Sequence, residues 1–104
     1  MNHSLQPREI EKIIIAAEGF PEIEEMILFG SRAKGKFKKA SDIDLAIKGN
    51  EITESTVKRF SSRLNEEVPL PYFFDVIDYK SISNKDLVEH IDRVGNLIYK
   101  KQHD

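Results

Sequence analysis

Residues 28–45 read LFGSRAKGKFKKASDIDL and contain the strongest structural pattern in the chain. An apolar run from Ile23 to Phe29 leads into this segment and stops at Gly30, which predicts a buried strand. Ile43 to Ile47 predicts a second strand. Residues 31–41 between the two strands are polar and basic, which indicates a loop with room for one helical turn.

Two aspartates lie two positions apart at the start of the second predicted strand. Because alternate residues of a strand point to the same side, the carboxylates of Asp42 and Asp44 project together, with Ile43 buried behind them. Two adjacent carboxylates repel each other unless a cation lies between them. Oxygen ligands favour Mg²⁺, with substrate phosphates completing its coordination shell. Taken alone, however, an Asp-x-Asp pair is more often a solvated strand end.

The residues before this pair suit a phosphate group. Gly30 has no side chain, so backbone N–H groups can approach a phosphate, and the hydroxyl of Ser31 adds another donor. Residues 32–39 contain five basic residues, among them Arg32, Lys34 and Lys39, and no acidic one. A solvated basic loop explains these cations but not the neighbouring carboxylates, whereas a polyphosphate with its metal ion explains both.

A P-loop is the alternative interpretation of the same segment. Gly30, four further residues, Gly35 and Lys36 nearly match the phosphate-binding motif of nucleotide hydrolases. That motif ends in Ser or Thr and opens a long helix. Here Phe37 occupies the position and a predicted strand follows, so we disfavour the P-loop.

The flanking segments predict helices and a third strand. Apolar residues at helical spacing after Pro7 predict a helix that ends near Gly19. Thr53 is the predicted N-cap of a second helix. The aromatic and β-branched run Tyr72–Tyr79 predicts a third strand.

A last helix and a short strand are predicted near the end of the chain. Ser83, with Asp86 three residues later, predicts a capping box that opens this helix. We expect His90 at the surface or core boundary, and Gly95 to end the helix. The residues expected to face inward are Leu87, Val88 and Ile91, and the strand is expected over Leu97–Tyr99.

Composition narrows the possible functions. With 104 residues and 39% hydrophobic content, we expect a single globular domain over residues 1–104. The absence of cysteine excludes disulfides, thiolate zinc sites and cysteine catalysis. A net charge of −2 argues against strong direct nucleic-acid binding and against binding to anionic membranes. We find neither a signal-peptide pattern nor an apolar run long enough to span a membrane, and we expect a cytoplasmic protein.

The motif Gly30-Ser31, ten further residues and Asp42-Ile43-Asp44 resembles the signature of the DNA polymerase β-like nucleotidyltransferase superfamily. The flanking residues are similar to its minimal members, the MNT domains. The resemblance implies an α/β fold, in which helices pack against a small mixed β-sheet. It also implies a third catalytic carboxylate from a later strand, in an Asp-aliphatic-aliphatic-Asp context. Residues 75–78 match that context, with Asp75 as the expected acid.

Strand alternation alone does not choose between the two acids of that segment. Asp75 and Asp78 point to opposite faces of a regular strand, so only one of them can face the site. Asp78 lies near the predicted strand end, where an acid commonly meets solvent or starts a turn.

The resemblance further implies a Mg²⁺-dependent enzyme that transfers a nucleoside monophosphate, usually AMP, from an NTP to a hydroxyl. Two Mg²⁺ ions would be held by the catalytic acids Asp42, Asp44 and Asp75. The residues implied to bind the nucleotide are Gly30, Ser31, Arg32 and Lys34. Minimal members are typically paired with HEPN-domain toxins, so the implied acceptor is a tyrosine of such a partner and the implied role is antitoxin. The alternative is a non-catalytic module that neutralises its partner by complex formation.

Overall fold

The computed structural model describes residues 5–30 and 42–102, which form a four-stranded mixed sheet packed against helices. The predicted loop over residues 31–41 lies outside the described residues. In chain order the elements are α1 (Pro7–Glu18), β1 (Glu25–Phe29), β2 (Ile43–Lys48), α2 (Glu54–Ser62), β3 (Phe74–Asp78), α3 (Lys85–Val94) and β4 (Asn96–Lys100). A π-helical turn, Arg63–Glu67, continues α2, and a 3₁₀ turn, Tyr79–Ser81, follows β3.

The sheet has the strand order β3-β2-β1-β4. β1 pairs antiparallel with both β2 and β4, whereas β2 and β3 run parallel. Two parallel neighbours require a crossover connection, and α2 with its π-helical continuation provides it. The mixed sheet with packed helices confirms the predicted fold class.

The main core lies on one face of the sheet. Side chains at alternate positions of β1, β2 and β3 point towards α1 and α2, as the period of a strand requires. Ile13 of α1, Leu45 of β2 and Phe60 of α2 are fully buried there. Phe60 also packs edge-on against Phe20, with 5.4 Å between ring centroids.

The opposite face of the sheet is covered in part by α3. A smaller apolar cluster contains Phe29 of β1, Ala46 of β2 and Ile91 of α3, with Leu87 packed at its margin. Of the three helix residues predicted to face inward, Ile91 is buried, while Leu87 and Val88 are partly buried. Because one helix covers only part of this face, polar side chains on β2 and β3 can reach solvent here.

The helix starts agree with the predictions at two positions and differ at a third. Pro7 is the first residue of α1, and the Thr53 side chain accepts a hydrogen bond from the backbone N–H of Thr56 at the start of α2. The N-cap of α3 is Asn84, so the predicted capping role of Ser83 is wrong. The Asn84 side chain accepts hydrogen bonds from the N–H groups of residues 86 and 87, at 2.9 and 3.2 Å.

Two strands are shorter than their apolar patterns predict. β1 begins at Glu25 because the N–H of Ile23 donates to Phe20 in a turn. β3 begins at Phe74, and Tyr72 lies before it, where its hydroxyl donates a hydrogen bond to Glu9 of α1. Within the described ranges, no helix is both long and apolar enough to cross a membrane.

Candidate active site

Three carboxylates predicted from the sequence lie on the α3 side of the sheet. Asp42 directly precedes β2, and Asp44 is the second residue of that strand. The parallel register pairs Asp44 with Asp75 of β3, so their side chains point to the same face. Asp42 and Asp75 are exposed, and Asp44 is partly buried. Pairing of β2 with the edge strand β3 thus brings together acids that are 31 residues apart in sequence.

The surroundings of Asp44 disfavour the charged form of its carboxylate. Burial raises the pKa of Asp44 above its ordinary value, and the negative charges of Asp75 and Asp42 raise it further. In the described part of the chain, none of the ion pairs between side chains involves Asp44. A cation bound among these oxygens would therefore reduce the repulsion between the three carboxylates.

Asp78, the other acid of the third strand, lies on the opposite face and has structural partners. It pairs in register with Ile47, whose side chain belongs to the main core. Its Oδ2 lies 3.1 Å from the ammonium of Lys80 and accepts a hydrogen bond from the hydroxyl of Ser81. Its Oδ1 accepts from the backbone N–H of Lys80, which caps the 3₁₀ turn. The structure therefore places Asp75, and not Asp78, beside Asp44.

Gly30 lies where the first strand meets this cluster. Its φ angle is 82°, which lies in the left-handed region that residues other than glycine rarely adopt. Phe29 pairs with Asp44 across the antiparallel strands, so Gly30 follows directly beside that carboxylate. A Cβ atom at position 30 would overlap the Asp44 carboxylate. The backbone conformation thus favours glycine here, and a larger residue would also have to displace the Asp44 side chain.

The other three residues expected to bind the nucleotide, Ser31, Arg32 and Lys34, lie outside the described residues. The described site accordingly consists of the carboxylates and Gly30. Among the residues that the structure describes, no group of three acidic or histidine side chains is arranged to hold a metal ion by itself.

His90 is a neighbour of this site that we did not predict. The backbone N–H of Gly30 donates a hydrogen bond to Nε2 of His90, with 3.3 Å between the two nitrogens. The imidazole also packs edge-on against Phe29, with ring centroids 6.3 Å apart. The sequence signal that could have indicated His90 was helical spacing, because residues 87, 90 and 91 share one side of α3.

Comparison with known protein families gives a match over most of the chain. Residues 11–104 match the family described as "Polymerase beta, Nucleotidyltransferase". The chain belongs to this family. The predicted resemblance is confirmed by that match, which includes both strands of the carboxylate cluster.

Among curated proteins, the chain is 38% identical over 74 residues to "Probable protein adenylyltransferase MntA" from Haemophilus influenzae. The match covers 71% of this chain and 64% of the relative, which is less than two thirds of that protein's length.

Among solved structures, a toxin–antitoxin crystal structure with AMP-PNP has a similar fold. Its TM-score is 0.72 at 22% identity, and the match covers 94% of this chain and 76% of the other. A second is the complex of a tri-AMPylated Shewanella oneidensis HEPN toxin with an MNT antitoxin. Its TM-score is 0.71 at 20% identity, with 93% of this chain and 74% of the other covered. At these identities the likeness shows a shared fold.

Proposed function

We propose that this polymerase beta family member is a Mg²⁺-dependent nucleotidyltransferase that transfers AMP from ATP to a protein hydroxyl. The observation that carries the proposal is the register of β2 and β3. In this register Asp44 and Asp75 are paired neighbours on the face of the sheet that α3 packs against. Family membership supports the reaction class. The adenylyltransferase name of the Haemophilus influenzae relative supports AMP as the group transferred.

The donor set at this site suits Mg²⁺. All three acids offer hard oxygen ligands. Burial, followed by the charges of Asp75 and Asp42, raises the pKa of Asp44, and a bound cation would favour its charged form. Asp42, Asp44 and Asp75 would hold the metal, with phosphate and water oxygens completing the shell, as is usual for Mg²⁺. When bound, the metal supplies charge neutralisation at the phosphates and a lower pKa for the attacking hydroxyl.

The chain's own residues have distinct roles in this reaction. The exposed carboxylate of Asp75 is placed to accept the proton of the attacking hydroxyl or to ligate the metal. Gly30 leaves room for the phosphates beside Asp44, since it has no side chain. We assign Ser31, Arg32 and Lys34 to the β- and γ-phosphates of the nucleotide. The hydroxyl oxygen bonds to the α-phosphorus, the bond to the bridging oxygen breaks, and pyrophosphate leaves.

We propose a tyrosine of a HEPN-domain toxin as the acceptor, so that this chain acts as the antitoxin in the cytoplasm, where ATP is present. The related complex of an MNT antitoxin with a tri-AMPylated HEPN toxin supports this choice of partner. The curated MntA relative supports the same reaction.

The experiment incubates the purified chain with a HEPN-domain protein, Mg²⁺ and either α-labelled or γ-labelled ATP. We expect α-label on the partner and release of γ-label as pyrophosphate. Asp44→Asn and Asp75→Asn should each lower the transfer rate at least about 100-fold, because each removes a ligand charge. Asp78→Asn is the matched control. It removes a carboxylate from the same strand, but on the opposite face, and should retain most of the activity.

Each result distinguishes between functions. Transfer that survives in both Asp44→Asn and Asp75→Asn would disprove the assigned site. Release of γ-label as free phosphate would indicate a hydrolase. Inhibition of the partner without any transfer, unchanged in Asp44→Asn, would show the non-catalytic binding module. A loss in Asp78→Asn as large as that in Asp75→Asn would overturn the choice of Asp75.

A further inference from the structure

Gly30, which directly follows β1, also contacts α3. The N–H of Gly30 points to Nε2 of His90, 3.3 Å away, so a helix 60 residues later in the chain holds this backbone atom. The contact is partly buried and lies next to the pairing of Phe29 with Asp44. A side chain from α3 therefore contacts the backbone of the glycine that lies beside Asp44.

We propose that His90 is a positioning residue for the transfer reaction, which holds the Gly30 backbone at its distance from Asp44. This inference rests on the proposed function, because Gly30 leaves the space there for the nucleotide phosphates. His90 acts through Gly30. It is not assigned a contact with the nucleotide or with the metal.

The imidazole is held from more than one direction. Its ring packs edge-on against Phe29 at an interplanar angle of 76°. Ile91, the next residue of α3, is buried in the same small cluster as Phe29, and Leu87 packs against that cluster one helical turn earlier. The helix is thus anchored on the sheet on both sides of His90, which limits the freedom of the ring.

The hydrogen bond also depends on the protonation of the imidazole. The contact uses Nε2 as the acceptor, and an imidazole nitrogen can accept a hydrogen bond only where it carries no proton. A replacement must therefore offer an acceptor at the position of Nε2 to preserve the contact. Glutamine can do so with its side-chain oxygen, whereas leucine has similar bulk and no acceptor.

Nε2 of His90 contacts a backbone N–H. Loss of this contact should therefore change the position of Gly30 more than it changes the free energy of unfolding. A displacement of about 1 Å in a group that positions substrate can lower the rate by as much as ~100-fold. We therefore expect His90→Leu to lower kcat by about 10- to 100-fold, with a smaller change in KM for the partner protein. His90→Gln should restore most of kcat.

The test combines steady-state kinetics with amide exchange of Gly30, followed by NMR in the ¹⁵N-labelled protein. In His90→Leu we expect the Gly30 amide to exchange about tenfold faster than in wild type, which corresponds to one lost hydrogen bond. His90→Gln should return towards the wild-type rate. Asn84→Ala serves as the control for α3, since it removes the helix N-cap but leaves the contact with Gly30 in place.

The proposal is overturned if exchange at Gly30 is the same in wild type and His90→Leu. It is also overturned if Asn84→Ala lowers kcat as much as His90→Leu does, because His90 would then act only through helix stability. If wild type shows no transfer while the Gly30 amide still responds to His90→Leu, the proposed function fails and the contact stands. The two failures are therefore distinguishable.

Discussion

At Asp44, a partly buried carboxylate faces two others, and this arrangement opposes folding at neutral pH. Its pKa is raised by burial, then by Asp75 and Asp42. The folded state therefore binds a proton more strongly than the unfolded chain does. Stability falls as the pH rises from the ordinary aspartate pKa through the raised value, and it stays lower above that range. Such a cost is typical of residues retained for function.

We therefore expect Asp44→Asn to stabilise the protein while it abolishes transfer. The gain at pH 7.5 should be about 1 kcal/mol, which for a domain of this size is a rise in Tm of ~4–8 °C. It should shrink as the pH is lowered, because the raised pKa makes Asp44 of the wild type bind a proton more readily than an ordinary aspartate. Thermal unfolding followed by circular dichroism between pH 4 and 8 measures both effects. An unchanged Tm at pH 7.5, or a gain independent of pH, would contradict this account.

Among the elements, β3 is an edge strand whose exposed backbone is capped by a side chain. Oδ1 of Asn65 accepts from the N–H of Phe74 at 2.8 Å, and Nδ2 donates to the Phe74 carbonyl at 3.0 Å. Nδ2 also donates to the carbonyl of Ser61 on α2, so one amide joins the helix to the strand. An unpaired strand edge is a site for association with other chains, and this amide occupies part of it.

Replacing Asn65 should lower the free energy of unfolding and should also leave the edge of β3 more open to association with other chains. We expect Asn65→Ala to lower the free energy of unfolding by about 1–3 kcal/mol, because it leaves the backbone groups of Phe74 without their partner. Glu66→Ala, at the next, exposed position of the same π-helical turn, should change it by less than ~0.5 kcal/mol. Urea unfolding gives these values, and light scattering reports association. Equal effects of the two variants would show that Asn65 has no special role.

In the whole molecule, the two faces of the sheet have different tasks. One face carries the main core with α1 and α2, while the other carries the carboxylates and is only partly covered by α3. Acids without an ion-pair partner among the described residues can therefore lie on the same strands that build the main core. A ligand that neutralises them should stabilise the entire domain, since it binds only the folded state.

Mg²⁺ with AMP-PNP should accordingly raise the Tm of the wild-type protein. At a ligand concentration of 100 times Kd, the stabilisation is about 2.7 kcal/mol. Asp44→Asn should lose most of this response, whereas Asp78→Asn should retain it. Differential scanning fluorimetry with and without EDTA measures the shift. A response of wild type that EDTA does not reduce would contradict a role for the metal in nucleotide binding.

Local patterns in the sequence determined much of this protein. Helical spacing after Pro7, the cap at Thr53 and the alternation around Asp44 depend on neighbours along the chain, and each is observed. The spacing from Gly30 to Asp44 was sufficient to indicate the family, because residue types and distances along the chain were both specific. Local sequence did not predict the N-cap of α3 correctly. Ser83 and Asn84 are both good capping residues, and only the backbone path selects Asn84.

Only the tertiary structure decided which distant groups meet. Strand alternation alone does not choose between Asp75 and Asp78, although the family pattern favoured Asp75. The parallel register of β2 and β3 separates them, because Asp75 pairs with Asp44 and Asp78 pairs with Ile47. His90 reaches Gly30 because α3 packs over β1, a contact between residues 60 positions apart. Register and packing result from the whole core folding at once, so no local segment of the chain contains them.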